Sequence, residues 1–383
     1  MSDMNFTVRQ LDVSSSSDIT HFIKSQWNFY QGDPHWAPPL VMDRKKLLDV
    51  KNNPFYTHAS IALFVAERNG EVIGRIAGIT NEHHNTTHDD NIGFFGFFEC
   101  VNEQSVANAL FDKAKAFVKA QGKDAIRGPV NPSMNDEVGL LIDGFDSPAV
   151  VLMTYNPPYY AELIEQAGFV KAKDLLAYWL KIEDYQSDKL VRLQQAIRDR
   201  YQVTIRNINL KDSTQFKKDI ESFKIVYNTA WEKNWGFVKI SDAEIDAMAG
   251  DLKMIADPEL VYFIEVRGEL AGMFFALPDI NQINILNKNG GVLGFLWHLF
   301  TKKKRINACR IITMGVLPQY RKSGLDAVMY YEIKNRVIKN GYHRGGEASW
   351  ILEDNVAMNQ ALTHAMNGHV YKTYRVYDAP LAV

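Results

Sequence analysis

The sequence has few of the features that fix a protein's class at once. Its 383 residues include two cysteines, Cys100 and Cys309. Two thiols cannot build the disulfide framework of a small secreted fold. Both lie in or beside apolar strand-like runs, which suits reduced core thiols in a cytoplasmic protein better than a cross-link or a metal site. An excess of one charge is also missing: 43 Lys and Arg stand against 45 Asp and Glu, a net charge of −2. No global positive field points to nucleic acid, so any basic function has to be local. No run approaches the ~20 apolar residues that span a bilayer, and MSDMNFTVRQLDVSSSSD lacks the apolar core of a signal peptide, so the expected location is cytoplasmic. Apolar and aromatic residues, by contrast, make up 46% and 12% of the chain. At this length they supply two cores and predict two domains.

Residues 5–11 alternate like an opening strand, and Ser14 to Ser17 with Asp18 offer cap chemistry before a helix carrying Ile19, Phe22, Ile23 and Trp27. The runs 61–67 and 72–79 form a hairpin, because Asn69-Gly70 supplies the positive φ angles of a tight turn. A polar loop is expected over 81–91, then a strand GFFGFFEC (93–100) and a helix through Val106, Leu110, Ala114 and Val118. Within that loop Glu82, His83, His84, His88 and Asp90 have metal-ligand chemistry, but a loop does not fix their spacing, and a solvated segment is the simpler expectation.

The second half echoes the first. Glu67-x-x-Gly70-Glu71-x-x-Gly74 returns as Glu265-x-x-Gly268-Glu269-x-x-Gly272, 265 against 67 and 272 against 74, an offset of 198 residues each time. A strand, an amphipathic helix and an Asn-led helix follow in the same order in both halves. The seam falls where Leu176 to Ile182 gives way to the polar Glu183 to Asp188, dividing the chain into domains 1–185 and 186–383. Two helical pieces over 216–256 are interrupted by the aromatic turn Trp231 to Phe237, which lines a cleft or caps a core.

The stretch from Ile311 to Ile333 joins a strand, a basic turn Gln319-Tyr320-Arg321-Lys322-Ser323-Gly324, and a helix. A helix start carries unpaired N–H groups and partial positive charge, Gly324 lets an anion approach the backbone, and Arg321 and Lys322 add full charges. The turn reads as a phosphate cradle.

This order of elements resembles the GNAT superfamily of acyl-CoA-dependent N-acyltransferases, in its tandem form, and resembles bacterial ceramide-synthase-like N-acyltransferases. The resemblance implies an α/β (α+β) fold of two tandem GNAT-like domains, each a mixed, mostly antiparallel twisted sheet flanked by helices. It implies an acyl-CoA donor held by Val316, Gln319, Arg321, Lys322, Ser323, Gly324 and Asn355, and no metal. The family pattern Arg/Gln-x-x-Gly-x-Gly/Ala is met by Arg321 and Gly324, but Asp326 stands where Gly or Ala is usual. A carboxylate ~6 Å from a phosphate at an effective dielectric of ~20 costs on the order of 3 kcal/mol. The first half has Val101 to Ser105 in place of the cradle, so it reads as a degenerate, acceptor-shaping domain and 186–383 as the donor domain.

An alkyl amine of pKa ~10.4 is neutral in about one part in two thousand at pH 7, so attack on a thioester needs a base and oxyanion donors. Alternation along 347–355 puts Glu347, Ser349 and Ile351 on one face, and Glu347 is the expected base. The family's acid position falls near His364 or Tyr371, with Tyr374 as a further alternative. Asn131, Asn135, Asp136 and Glu137 form a polar stretch that binds an acceptor or serves as an ordinary turn, and Trp235 is a further acceptor candidate. The apolar segment 290–300, followed by Lys302 to Arg305, suits an anionic membrane surface, the mouth of an acyl-chain groove, or a buried helix. The expected partners are acyl-CoA and an amine, a small molecule or a lipid, with peripheral contact at the inner face of the membrane through 290–305 and no nucleic acid. Two alternatives remain open: a non-catalytic acyl-CoA or lipid-binding protein, and an aminoacyl-tRNA-dependent transferase.

Overall fold

The computed structural model describes residues 5–181, 188–232 and 234–381. Ile182 and residues 183–187 of the expected seam, and Lys233 of the aromatic turn, lie outside the described residues.

In chain order the first elements are β1 (Thr7–Leu11), α1 (Ser16–Lys24), α2 (Val41–Leu47), β2 (Ala59–Arg68), β3 (Glu71–Asn81), α3 (Glu82–His88) and β4 (Ile92–Cys100). Next come α4 (Gln104–Ala120), β5 (Ala125–Gly128), β6 (Val130–Asn131), β7 (Glu137–Val138), β8 (Leu140–Asp143), α5 (Tyr160–Gln166) and β9 (Val170–Leu180). Then follow α6 (Asp188–Tyr201), β10 (Val203–Asn207), α7 (Ser213–Ala230), α8 (Asp242–Ile255), β11 (Val261–Val266), β12 (Glu269–Pro278) and α9 (Asn281–Asn284). The last are α10 (Val292–Lys302), β13 (Ala308–Val316), α11 (Leu325–Lys339), β14 (Gly345–Leu352), α12 (Val356–Gln360) and β15 (His369–Pro380).

Two compact units result. The first runs through Leu175 and adds Ile283–Thr301 and the chain from Lys372 on; the second is Leu176–Gln282 with Lys302–Tyr371. They do not part at one point in the sequence: β9 and β15 each pass from one unit into the other. Inside the first unit, β1, β2, β3 and β4 pair antiparallel in that order, and β4 then pairs parallel with β5. Inside the second, β10, β11, β12 and β13 pair antiparallel and β13 pairs parallel with β14. The two sets of strands have one pattern.

The repeated motif has the same physical cause in both. Asn69-Gly70 and Arg267-Gly268 turn their hairpins with φ of 52° and 81°, and of 53° and 83°. Each hairpin slips register by one residue, between Ala66 and Glu67 and between Ile264 and Glu265, 198 positions apart. The second glycine of each motif lies beneath a helix. A Cβ on Gly74 would stand 2.6 Å from Leu110 of α4, and one on Gly272 would stand 2.8 Å from Met329 of α11. These helices fill the two cores, Val106, Leu110, Phe111 and Ala114 in one and Leu325, Val328, Met329 and Ile333 in the other.

Both cysteines are buried and free, and burial pushes the Cys309 thiol up to about 12 and the Cys100 thiol further. The polar loop expected over 81–91 is instead the helix α3, because Asn81 caps it by accepting from the His84 N–H at 3.2 Å. His84 thereby turns into the core, where its Nε2 stands 3.4 Å from Asp90 Oδ2 and desolvation lowers its pKa to about 3. Among the described residues no group of three or more His, Cys, Asp or Glu side chains is placed to hold a metal ion.

Candidate active site

In the second unit β13 and β14 are in register only from Ala308 opposite Gly345 to Ile311 opposite Ala348. Beyond these four pairs both strands continue without pairing to each other, which leaves a notch between 312–316 and 349–352. Unpaired strand edges in a notch offer backbone donors and acceptors to an extended ligand.

Glu347 lies at the root of the notch and has no exposed surface. Ser349, two residues on and therefore on the same face, donates to its Oε1, and the hydroxyl of Tyr371 donates to its Oε2. Arg310 stands opposite Glu347 in the parallel register, is itself buried, and donates from Nε to the Ser349 hydroxyl at 2.9 Å. A buried carboxylate is tolerated when hydroxyls and a cation surround it, so this cluster is one polar network inside an apolar unit. Tyr371 is only half-buried and stacks edge-on against Trp179 at 5.4 Å. Ser349 is buried, so of these two hydroxyl residues Tyr371 is the more exposed. The carboxylate of the expected base is thus enclosed, with the hydroxyls of Ser349 and Tyr371 on its two oxygens.

The structure gives the other candidate acid a different setting. His364 is exposed on the wide helical turn Ala361–Ala365 that follows α12, and no hydrogen bond links it to Glu347. Tyr374 is fully buried.

The basic turn leads from β13 into α11. Gly324 adopts φ +81° at the N-cap, and its Cβ would stand 2.9 Å from Ile197, so the turn needs glycine for both its backbone and its space. Gly324 has no side chain to cap α11, and among the described residues the one side-chain acceptor at this end is the Ser323 hydroxyl, which takes the Leu325 N–H at 3.4 Å. Val316 ends β13; Gln319, Arg321 and Lys322 are exposed, and Arg321 also donates to the carbonyl of Ala230 at 3.3 Å. Ser323 is half-buried and bonds the Tyr320 carbonyl at 2.6 Å. Asp326 is exposed, pointing away from the core in the first turn of α11, where a carboxylate favours the helix. Asn355 accepts from the Met358 N–H at 3.2 Å, which makes it the N-cap of α12.

At the far end of β13 lies Trp231, the first residue of the aromatic turn. A Cβ on Gly315 would meet its ring at 2.5 Å, so Gly315 exists to let Trp231 lie on the strand. Trp231 continues an aromatic row along α7 through Tyr227 and Phe223. Trp235, the residue singled out in the sequence, is half-buried in the turn beyond it.

The first unit has the matching strands but a filled notch. After three parallel pairs, ending at Phe94 opposite Arg127, the chain crosses back over β4. A Cβ on Gly96 would stand 1.7 Å from the Val130 carbonyl, and one on Gly128 would stand 2.3 Å from the Phe95 carbonyl. Asn131 bolts this crossing by accepting from the Phe97 N–H at 2.6 Å. Glu137 pairs with Arg44 at 2.6 Å, Asp136 accepts from Ser133 at 2.5 Å, and the Asn135 N–H donates to Ser133 at 3.2 Å. The four acceptor candidates of this stretch thus take part in the hairpin that plugs the notch. At the start of α4, where the cradle would be, Glu103 brings a carboxylate held by Arg68 at 2.6 and 2.8 Å. Carboxylate occupies the end of the helix that would attract phosphate.

A twisted mixed sheet that splays after its parallel pair, with a glycine-led helix beside the splay, is the GNAT architecture. Solved structures agree: a tandem GNAT protein of the clavulanic acid biosynthesis pathway matches 99% of this chain and 99% of its own with a TM-score of 0.59 at 10% identity. A GCN5-related N-acetyltransferase from Sphaerobacter thermophilus matches 99% and 97% with a TM-score of 0.54, also at 10% identity. No family model matches the sequence. Two relatives do. The bacterial ceramide synthase of Caulobacter vibrioides is 33% identical over 393 residues, covering 98% of both chains. Protein YghO of Escherichia coli is 33% identical over 374 residues, covering 95% of this chain and 93% of its own. The chain belongs to the family of these two proteins, on a tandem GNAT fold.

Proposed function

We propose that the protein is an N-acyltransferase that moves an acyl group from acyl-CoA to a primary amine, with the amine carried by a lipid. The enclosed Glu347 with Tyr371 and Ser349 on its two oxygens, at the root of an open notch, is the observation that carries this reading. The donor phosphates would lie at the glycine-led start of α11 with Arg321 and Lys322, and the pantetheine arm along the unpaired edges of 312–316 and 349–352. Domain 186–383 is the donor half in this proposal, and 1–185, whose notch is plugged, shapes the acceptor side.

In the proposed reaction the amine nitrogen attacks the thioester carbonyl and forms a C–N bond. A proton leaves nitrogen for the Tyr371 oxygen as the Tyr371 proton moves to Glu347 Oε2. Collapse of the oxyanion breaks the C–S bond, and the proton returns through Tyr371 to the departing thiolate, so base and acid are one relay. Arg310 holds Ser349, and Ser349 fixes the rotamer of Glu347. The Caulobacter relative's name, bacterial ceramide synthase, supports a long-chain donor and a lipid amine as acceptor. Work on a lipid takes place at a membrane surface, and 290–305 is the segment that suits one.

The test is product formation. Purified protein is incubated with acetyl-CoA or palmitoyl-CoA and either a sphingoid-type amine or a soluble amine, and products are read by mass spectrometry. The expected product is an amide of the long-chain amine that requires Glu347. Binding of acyl-CoA with no amide from any amine would overturn the reading in favour of a non-catalytic lipid-binding protein.

A further inference from the structure

The helix α10 is built inside out. Leu293, Leu296, Trp297 and Phe300 recur at helical spacing and form one stripe, and they are 80%, 47%, 68% and 92% exposed. The opposite side is the one that packs, through the buried Phe295. This overturns the buried-helix alternative drawn from the sequence. The stripe exposes on the order of 500 Å² of largely apolar surface, near the upper end for the largest patch of a soluble monomer. An ordinary amphipathic helix turns such a stripe to the core.

The stripe is held out rigidly. Before α10 the chain is fixed by Trp27, which donates to the Lys288 carbonyl at 2.6 Å, by Lys24, which donates to the Asn289 carbonyl at 2.6 Å, and by the Val41 N–H, which donates to the Gly290 carbonyl at 2.9 Å. Gly290, at φ +63°, has room for no Cβ, since one would stand 2.8 Å from the Trp27 ring. Directly after the stripe come Lys302, Lys303, Lys304 and Arg305, all exposed, and among the described residues none of them pairs with a carboxylate. No helix of the described residues is long and apolar enough to cross a membrane.

We infer that α10 and the basic turn after it dock the protein onto the surface of an anionic lipid bilayer. The helix lies in the plane of the interface, with Leu293, Leu296, Trp297 and Phe300 among the acyl chains and residues 302–305 at the headgroups. Charge complementarity selects this partner: an apolar stripe alone would suit another protein, whereas four consecutive unneutralised cations at its end match a dense negative surface. The docking builds on the membrane-side reading of the function but does not need the acyl-transfer chemistry.

The test is co-sedimentation of the full chain with vesicles of phosphatidylcholine alone and of phosphatidylcholine mixed with phosphatidylglycerol. Binding is expected to the mixed vesicles, weakened by salt. Neutralising Lys302 to Arg305 to Gln should cost roughly five-fold in partitioning per charge. Phe300→Ser should cost roughly thirty-fold. Both changes are at exposed positions, and an unaltered thermal transition verifies that the fold is kept. Trp297 fluorescence, read as the difference from Trp297→Phe, should shift to the blue on binding. Glu347→Gln should bind vesicles like the parent, so failure of docking and failure of the catalytic reading are separate results. Absence of binding to both vesicles, equal binding by Phe300→Ser, or a concentration-dependent dimer that Phe300→Ser dissolves would overturn the inference.

Discussion

The hydroxyl of Tyr371 donates to the carboxylate of Glu347, which has no exposed surface of its own. Glu347→Gln preserves shape and removes the proton acceptor, so amide formation should fall on the order of 10²- to 10⁴-fold with little change in the KM for acyl-CoA. Tyr371→Phe should fall by a comparable factor, and the double variant should fall no further than either single one, because the two act as one relay. Additive losses in steady-state kinetics would show two independent roles.

The cradle should affect donor binding and leave chemistry alone. Arg321→Ala and Lys322→Ala are expected to raise the KM for acyl-CoA roughly five- to ten-fold each, at unchanged kcat. Each removes about 1 kcal/mol of charge interaction at an exposed helix start. Asp326→Asn should lower KM by less than about five-fold, since the exposed carboxylate repels phosphate but also favours the helix. Isothermal titration with acyl-CoA checks all three, and no change in Arg321→Ala would remove the cradle.

Gly96 carries the crossing that plugs the first notch. Gly96→Ala would place a Cβ 1.7 Å from the Val130 carbonyl, backbone that cannot step aside, and should cost at least about 3 kcal/mol. Gly70→Ala meets nothing within 4 Å and suffers only from its φ of +81°, about 1 kcal/mol. Calorimetry should show the first change lowering Tm by more than twice as much as the second.

His84 gives stability a pH dependence. Its ring is buried, and its pKa is lowered to about 3 by desolvation, whereas an unfolded histidine titrates near ~6.5. Between those values the unfolded chain binds the additional proton, so the stabilisation is complete above about pH 6.5 and is lost as pH falls, at up to about 1.4 kcal/mol per pH unit. His84→Leu should flatten the fall of Tm between about pH 6.5 and pH 5. A parallel fall in both proteins would mean that other groups set it.

Much of this was legible in the chain because its cause is local. The Glu-x-x-Gly-Glu-x-x-Gly motif encodes a turn, a register slip and a close helix crossing, each fixed within a few residues, and so the duplication could be read without coordinates. The basic turn was equally local, since Gly324 at the start of α11 marks the turn in the residues themselves. Helix α3 was missed because the Asn81 cap is a weak signal amid polar residues. Arg310 carried no signal because its partner, Ser349, is 39 positions away, and the place of Trp231 against Gly315, 84 positions on, is likewise tertiary.

The sequence by itself determined two copies of one sheet, a single basic glycine turn, and one apolar segment followed by cations. Only the tertiary structure decided which notch is open, because closing the first depends on backbone meeting backbone at Gly96, which no residue pattern displays. It also decided that Glu347 is enclosed and bonded by Tyr371, and that the apolar stripe of α10 faces outward, since both depend on what packs against a face and not on the order of residues within it.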